Sequence, residues 1–159
     1  MAILAALGEM KKQPTSQMCF VCGRENRIGL HLHFCADAEG RVHTEFTPAE
    51  EHQGYPGVMH GGLVTALLDE TIGRTAIAGD IWCMTAKLEV RFKQPVPIGE
   101  PLRITGEITR RHGRLLEGRG EIRTQQDNRL LAEAQGTYIK IPDDQIEPYK
   151  QALGGWRVE

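Results

Sequence analysis

The stretch of sequence that decides the fold is His60-Gly61-Gly62-Leu63-Val64-Thr65-Ala66-Leu67-Leu68-Asp69-Glu70-Thr71-Ile72-Gly73. Its two glycines make a tight turn that leads directly into a predicted helix, which ends before Gly79. Apolar side chains surround almost the whole circumference of this helix, and such a helix is normally buried on several sides. Two adjacent acids nevertheless lie near its middle. Ionisable groups in a buried helix often mark functional sites.

The two acids of the helix are not equivalent. Glu70 precedes Arg74 by four residues, which is the favourable order for an ion pair within a helix. Asp69 has Thr65 four residues before it and Gly73 four residues after it, so no cation on its own helix face can pair with it. We therefore expect Asp69 to be the functional acid. The alternative is a structural Asp69 that caps or pairs with a distant group.

Size, charge and composition limit the possible classes of protein. A chain of 159 residues that is 40% hydrophobic and 25% charged is long enough for one domain with its own core. A net charge of −2 argues against broad nucleic-acid binding. We predict no membrane interaction, because no apolar run is long enough to span a bilayer and the N-terminus lacks a convincing signal peptide. Four cysteines in a domain that does not need disulfides predict a reduced, cytoplasmic protein.

A lone Cys-x-x-Cys pair occurs near the N-terminus, in Cys19-Phe20-Val21-Cys22-Gly23. A structural zinc site normally needs four ligands, and the chain has no second pair of this kind. The residues that would complete such a site are His31, His33 and Cys35, which alternate onto one face of the next predicted strand. We favour a structural or incidental cysteine pair and predict no metal centre.

Alternation of apolar and polar residues predicts six strands. Two precede the helix and form a hairpin, over 30–36 and 41–47, and four follow it, over 84–92, 102–110, 115–124 and 130–141. Short turns make neighbouring strands antiparallel. One sheet over a single helix satisfies the two-layer rule for domains. We therefore predict an α+β fold in which one long central helix is wrapped by a curved, mainly antiparallel sheet.

The chain divides into three predicted parts. Residues 1–28 are an N-terminal extension that carries the cysteine pair, and residues 29–141 form the folded domain. Residues 142–159 are a C-terminal tail with a short helix over 143–153. The long loop over 48–59 lies directly before the central helix, and a loop of this length inside a compact domain is usually functional.

The sequence resembles the hotdog-fold acyl-CoA thioesterases, in particular the branch that includes the phenylacetate-pathway thioesterases. The resemblance covers roughly residues 28–141. Four segments carry it: Tyr55-Pro56-Gly57-Val58-Met59-His60-Gly61-Gly62, Leu67-Leu68-Asp69-Glu70, residues 85–95 and Gly99-Glu100-Pro101-Leu102. It implies a hotdog fold and hydrolysis of an acyl-CoA substrate, with no cofactor. The cysteine pair, together with Gly29-Leu30, looks like an N-terminal extension of some relatives.

The resemblance implies roles for four catalytic residues. The acid at the position of Asp69 is either a general base for water or a nucleophile that forms an anhydride. The amide of Gly61 is an oxyanion donor, which suits a helix N-terminus with its free N–H groups and positive dipole end. His60 shapes the turn or bonds the ligand. Thr85 matches a Ser/Thr position that assists the attacking water.

The same resemblance implies a binding site for the nucleotide end of coenzyme A at Lys87 and in the segment 110–115. Guanidinium groups suit phosphates, and the chain offers three of them here, at Arg110, Arg111 and Arg114. The alternative interpretation of these charges is a solvated basic turn.

The acyl end of the substrate is expected near the glycine turn, at Gly62 and in the preceding loop. Relatives commonly have an Asn six residues before the His, where it bonds the acyl carbonyl or the water. This chain has Gly54 at that position. The side chains that could replace the missing amide are those of His52 and Gln53.

Family active sites lie at a dimer interface, so the resemblance implies a homodimer or a dimer of dimers. Two alternatives to thioester hydrolysis remain open at this point. One is an acyl-CoA binding protein without activity. The other is a hotdog hydratase or dehydratase, which needs a catalytic His–acid pair aimed at the acyl chain. We favour the latter less, because His60 belongs to the glycine turn.

Overall fold

The computed structural model of the protein describes residues 9–159, so the first eight residues of the predicted extension lie outside it. It contains seven strands, two α-helices and a short 3-10 helix at Glu50–His52. In chain order the main elements are β1 (Lys11–Lys12), β2 (Cys35–Ala36), β3 (Val42–Phe46), α1 (Gly61–Ala78), β4 (Cys83–Phe92), β5 (Leu102–His112), β6 (Leu115–Thr124), β7 (Leu130–Lys140) and α2 (Asp143–Ala152).

The strands form one curved antiparallel sheet in the order β1-β2-β3-β5-β6-β7-β4. The long helix α1 lies against one face of this sheet and contacts β3 to β7. The predicted α+β architecture is therefore confirmed, as are the predicted end of the central helix before Gly79 and the four long strands after it. The short helix predicted in the C-terminal tail is α2.

Three glycines of the sheet allow α1 to approach it closely. A Cβ atom at Gly106 would lie 2.8 Å from the backbone oxygen of Thr71. A Cβ at Gly118 would lie 2.6 Å from Ile72 Cγ2, and one at Gly120 would lie 2.9 Å from Ile72 Cγ1. Ile72 is fully buried. The middle of α1 therefore packs in a groove of the sheet, at positions where any residue larger than glycine would collide with the helix.

The predicted hairpin is wrong for residues 30–34. Alternate side chains of this segment are buried as expected, but only β2 pairs with β3. His31 has a φ of 53°, a left-handed conformation that interrupts a strand. The N–H of Leu30 donates instead to the carbonyl of Phe20, at 2.8 Å. The backbone amides of Leu30 and Leu32 are therefore bound to the N-terminal extension, and the contact with β3 is a side-chain bond from Thr44 to the carbonyl of His33.

The short connection between β4 and β5 does not make them neighbours, although the turn-based prediction implies it. β4 pairs with β7, and β5 pairs with β3 and β6. The connecting residues bind the loop before α1: Met59 N–H donates to the carbonyl of Val96 at 2.8 Å, and Ile98 N–H to that of Gly57 at 3.0 Å. These bonds hold the connection against the start of α1, so that β4 lies at one edge of the sheet and β5 lies between β3 and β6.

The strand β4 lies at one edge of the sheet, with β7 as its neighbour. Two of its large apolar side chains remain exposed, Met84 at 48% and Phe92 at 55%. An edge strand with exposed apolar residues is a typical site of pairing with another chain.

The helices of residues 9–159 include none with the length and apolar character needed to cross a bilayer.

Gly106→Ala tests the close packing of α1 on the sheet. The added methyl group would displace the helix backbone, so we expect the free energy of unfolding to fall by about 1–3 kcal/mol. Urea denaturation followed by circular dichroism measures it. Gly79→Ala is the matched control, because its Cβ would lie at an ordinary 3.5 Å from the nearest atom, the oxygen of Ala76. Equal loss in both variants would contradict the close-packing account.

Candidate active site

Asp69 lies on α1 and is held by two hydroxyl groups from the sheet. Thr85 Oγ1 donates to Asp69 Oδ1 at 2.8 Å, and the hydroxyl of Tyr138 donates to the same oxygen at 3.2 Å. Asp69 Oδ2 accepts no hydrogen bond from the part of the chain that the structure describes. The carboxylate is thus fixed in orientation by one oxygen, while the other remains available to a substrate or a water molecule.

Local strand geometry places the two hydroxyl groups. Thr85 and Tyr138 are direct partners across β4 and β7, so their side chains point to the same face, toward α1. A bulge between Thr85 and Lys87 follows immediately and sends Lys87 to the outer face. Gly136 makes room for the tyrosine ring, because a Cβ there would lie 2.5 Å from Tyr138 Cε2.

Tyr138 is a site residue that the sequence alone does not predict. Its alternation within the last predicted strand is the available signal, since Tyr138 falls on the apolar, inward face. Its position opposite Thr85 depends on the register between β4 and β7. These two strands are about fifty residues apart in the sequence, so no local pattern reveals their register. The contact with Asp69 therefore emerges only from the folded sheet.

Burial and the charge of Asp69 control the neighbouring titratable groups. Burial, reinforced by the Asp69 carboxylate, raises the pKa of the Tyr138 hydroxyl far above its ordinary value. The same two causes raise the pKa of the Cys83 thiol to about 11. Both groups therefore stay protonated at neutral pH, and Tyr138 remains a hydrogen-bond donor to Asp69.

Glu70 is the partner of Arg74, as the sequence predicts. Arg74 Nε donates to Glu70 Oε1 at 2.8 Å, and the Arg74 side chain is only 3% exposed. Burial raises the pKa of Glu70, and the guanidinium of Arg74 acts in the opposite direction. Arg74 also donates to the carbonyl of Pro14 at 2.8 Å. This pair therefore anchors the N-terminal extension to α1.

His60 is the N-cap of α1. Its Nδ1 accepts the N–H of Gly62 at 2.9 Å, so in the neutral ring the proton resides on Nε2. A Cβ at Gly62 would lie 3.0 Å from this nitrogen, which explains the glycine. The N–H of Gly61 has no acceptor within residues 9–159. A free N–H at the positive end of a long helix is suited to a developing negative charge.

A cavity of about 720 Å³ opens at this end of α1, and its lining includes Gly54, His60, Gly61 and Phe92. The ring of Phe92 lies over the turn, 3.5 Å from where a Cβ of Gly61 would be. A Cβ at Gly54 would meet the nearest atom of His60 at 3.4 Å, an ordinary contact distance. A larger side chain at position 54 would therefore reach the same cavity.

The two side chains expected to replace the missing amide are engaged within the loop. Gln53 Oε1 accepts the N–H of Gly57 at 3.1 Å, and His52 Nδ1 accepts the N–H of Ala49 at 2.8 Å. These bonds stabilise the loop and occupy one acceptor of each side chain.

A single chain does not bring the glycine turn and the acid together. Asp69 follows Gly61 by eight residues, which is about 12 Å along the helix axis. Asp69, Thr85 and Tyr138 line a different cavity, of about 260 Å³, from the one at the turn. The predicted catalytic residues therefore form two separate clusters.

The predicted phosphate-binding residues are exposed but do not cluster. Lys87 on β4 and Arg110 on β5 lie in one row of the sheet with two strands between them, which corresponds to roughly 14 Å. Arg111 follows on the opposite face. Arg114 lies in the β5–β6 turn, where its Nη2 donates to the carbonyl of Lys140 at 3.3 Å.

Cys19 and Cys22 line the cavity of Asp69. Their sulfur atoms and a carboxylate oxygen of Glu70 all lie within 4.8 Å of one another. Within residues 9–159 this is the one group of three potential metal ligands, and it does not include the partners that the sequence suggested, His31, His33 and Cys35.

Comparison with known proteins gives related sequences and folds. A family model described as the thioesterase superfamily matches residues 56–131. Acyl-coenzyme A thioesterase THEM4 of Xenopus laevis is 32% identical over 116 residues, which is 71% of this chain and 52% of that protein. The chain thus spans about half the length of this relative. THEM4 of Bos taurus is 31% identical over 77% of this chain and 51% of its own length.

Solved structures show the same architecture. The thioesterase superfamily protein RHA08564 is 32% identical with a TM-score of 0.72, over 76% of this chain and 59% of its own. The PaaI protein of the E. coli phenylacetic acid degradation operon has a TM-score of 0.66 at 18% identity, over 71% of this chain and 81% of its own, and supports the fold alone. The family match extends from the loop before α1 into β7 and includes both the glycine turn and Asp69. Residues 56–131 therefore match the thioesterase superfamily, and the chain has the hotdog fold of its solved members.

Proposed function

We propose that this protein hydrolyses an acyl-CoA thioester to a free acid and coenzyme A. The observation that carries the proposal is the Asp69 carboxylate, oriented by Thr85 and Tyr138 on the wall of a cavity. The curated relatives, matched over about half their length, are named acyl-coenzyme A thioesterases, which supports this substrate class.

Asp69 acts at the thioester carbonyl, either as a general base for water or as the nucleophile. With Oδ1 occupied by two hydroxyl donors, Oδ2 either takes a proton from an attacking water molecule or attacks the carbonyl carbon itself. The second route gives an anhydride that water then opens. In both routes the sulfur of coenzyme A leaves. Thr85 and Tyr138 act as positioning residues, because both hydroxyl groups donate to the carboxylate.

The N–H of Gly61 stabilises the negative charge that develops on the carbonyl oxygen. It has no acceptor within the described chain and lies at the start of an 18-residue helix. One donor of this kind typically contributes about 3–4 kcal/mol of transition-state stabilisation. His60 holds the turn through its cap to Gly62 and lines the cavity at this end of the helix. The acyl group binds there, beside Gly54, Gln53 and Gly62.

The active protein is a homodimer or a dimer of dimers. The distance of about 12 Å between Gly61 and Asp69 on one rigid helix supports a site in which each subunit supplies one of them. The edge strand β4, with Met84 and Phe92 exposed, supports a second copy along this edge.

The nucleotide end of coenzyme A binds the exposed basic residues Lys87, Arg110, Arg111 and Arg114. Lys87 and Arg110 lie on the outer face of the sheet, Arg111 on the opposite face and Arg114 in the β5–β6 turn, and this spread suits the separated phosphates of an extended ligand better than a single phosphate. All four cysteines are free thiols, which supports a reducing, cytoplasmic location.

A second candidate function is binding of acyl-CoA without hydrolysis. The observation that favours it is Gly54, where relatives carry an amide, together with the engaged acceptors of His52 and Gln53. A hydratase or dehydratase is less well supported, because His60 Nδ1 is used by the helix cap.

Asp69→Asn tests the hydrolytic function. The substitution keeps the size of the side chain and its contacts with the two hydroxyl groups but removes the base, so we expect kcat to fall by about 10²–10⁴-fold. Release of coenzyme A thiol from aryl- and medium-chain acyl-CoA measures it. Asp80→Asn, at an exposed acid beyond the end of α1, is the matched control. Undiminished turnover of a folded Asp69→Asn variant would refute the role, and binding without turnover in the wild type would support the second candidate.

Arg110→Ala tests the site for the nucleotide end. Loss of one charge-assisted contact to a phosphate predicts a rise of KM for acyl-CoA of about 3–10-fold. The same acyl group on N-acetylcysteamine lacks the nucleotide, so its kcat/KM is expected to stay unchanged. Arg103→Ala, at the other end of β5, is the control. An equal effect on both substrates would contradict a phosphate contact.

A further inference from the structure

The loop that carries Cys19 and Cys22 is shaped to present both sulfur atoms on one side. Gly23 N–H donates to the carbonyl of Cys19 at 2.7 Å and closes the turn, and Val21 N–H donates to Cys19 Sγ at 3.3 Å. A Cβ at Gly23 would overlap the Cys19 backbone, so this turn requires glycine. Backbone N–H donors to sulfur stabilise a thiolate, as in metal sites with cysteine ligands.

Glu70 approaches this loop from α1 and completes a set of three ligand atoms within 4.8 Å. Zinc bond lengths of about 2.3 Å to sulfur and 2.1 Å to oxygen separate ligand atoms in a tetrahedral site by about 3.6–3.8 Å. The distances between the three ligand atoms would have to shorten by about 1 Å, which rotation of the side chains can achieve. Cys22 is buried and Cys19 half-buried, so the set is shielded from bulk water.

Arg74 balances the charge of such a site. Its Nε donates to Glu70 Oε1, which leaves Oε2 for a metal ion. The guanidinium neutralises the carboxylate, so two thiolates and one divalent cation together complete a neutral cluster. Arg74 Nη2 is buried and has no hydrogen-bond partner in the described chain. It is therefore available to bond a thiolate or a metal-bound water molecule.

The cavity supplies the fourth ligand position. Cys19, Cys22 and Glu70 line the same cavity of about 260 Å³ as Asp69 and Thr85. A zinc site with three protein ligands keeps one position for water, and this cavity has the room to hold it.

We propose that Cys19, Cys22 and Glu70 bind one zinc ion, with water in the fourth position. Two thiolates select zinc over magnesium or calcium, which prefer oxygen ligands. Binding releases the two thiol protons to solvent. The ion cross-links the N-terminal extension to α1 next to Asp69, and it stabilises this wall of the cavity. The inference does not depend on the hydrolytic activity of the protein.

Titration of the full chain with Zn²⁺ alone tests the proposal. The protein is first treated with a reductant and a chelator, which are then removed, and zinc is added in competition with a chromophoric chelator. We expect one ion per chain and, at a free zinc concentration 100 times the Kd, a rise in Tm of about 5–10 °C. Co²⁺ in place of zinc is expected to give a thiolate-to-cobalt charge-transfer band.

Four variants locate the site. Cys19→Ser and Cys22→Ser are expected to abolish the cobalt band, and Glu70→Gln, which retains an oxygen for Arg74, to weaken zinc binding at least about tenfold. Cys35→Ser, at a thiol outside the cluster, is the matched control and keeps both signals. Circular dichroism checks the fold of each variant.

Two results would overturn the proposal. One is a reduced wild-type chain that binds no zinc tighter than about 0.1 mM. The other is a loss of binding in Cys35→Ser equal to that in Cys22→Ser, which would assign the metal to another place.

Discussion

The close contact between α1 and the sheet is the constraint on which the other features depend. The helix packs unusually close to the sheet because three sheet positions that face it are glycines, Gly106, Gly118 and Gly120. This close packing brings Asp69 within reach of hydroxyl groups on β4 and β7. A helix held further out would leave the carboxylate without its two donors. The sheet buries one side of the helix, and the N-terminal extension covers part of the rest, where Arg74 donates to the carbonyl of Pro14.

A rigid helix also separates the two halves of the candidate site. The free N–H at Gly61 and the carboxylate of Asp69 are fixed about 12 Å apart and line different cavities. Bending α1 would break its contact with the sheet, so neither half can move to the other. A second subunit solves this problem without any rearrangement. In the proposed dimer, the packing that holds Asp69 in place also keeps it apart from Gly61 of its own chain.

Local signals in the sequence were sufficient for the helix, its glycine turn, the Glu70–Arg74 pair and the long strands, because each depends on residues close together in the chain. Predictions that required distant partners were less successful. The strand expected over 30–34 is absent because the extension binds its backbone, and β4 and β5 are separated because their connection binds the loop before α1. Tyr138 was missed for the same reason, since its contact with Asp69 depends on strand register.

Mixing two inactive variants tests most directly whether the site is shared between subunits. Asp69→Asn lacks the acid, and Gly61→Pro lacks the N–H at a helix position where proline fits without strain. After subunit exchange, each mixed dimer would hold one site with both intact groups, so activity is expected to return to about a quarter of the wild-type value. If exchange is verified by mass spectrometry and the mixture stays inactive, the shared site is contradicted.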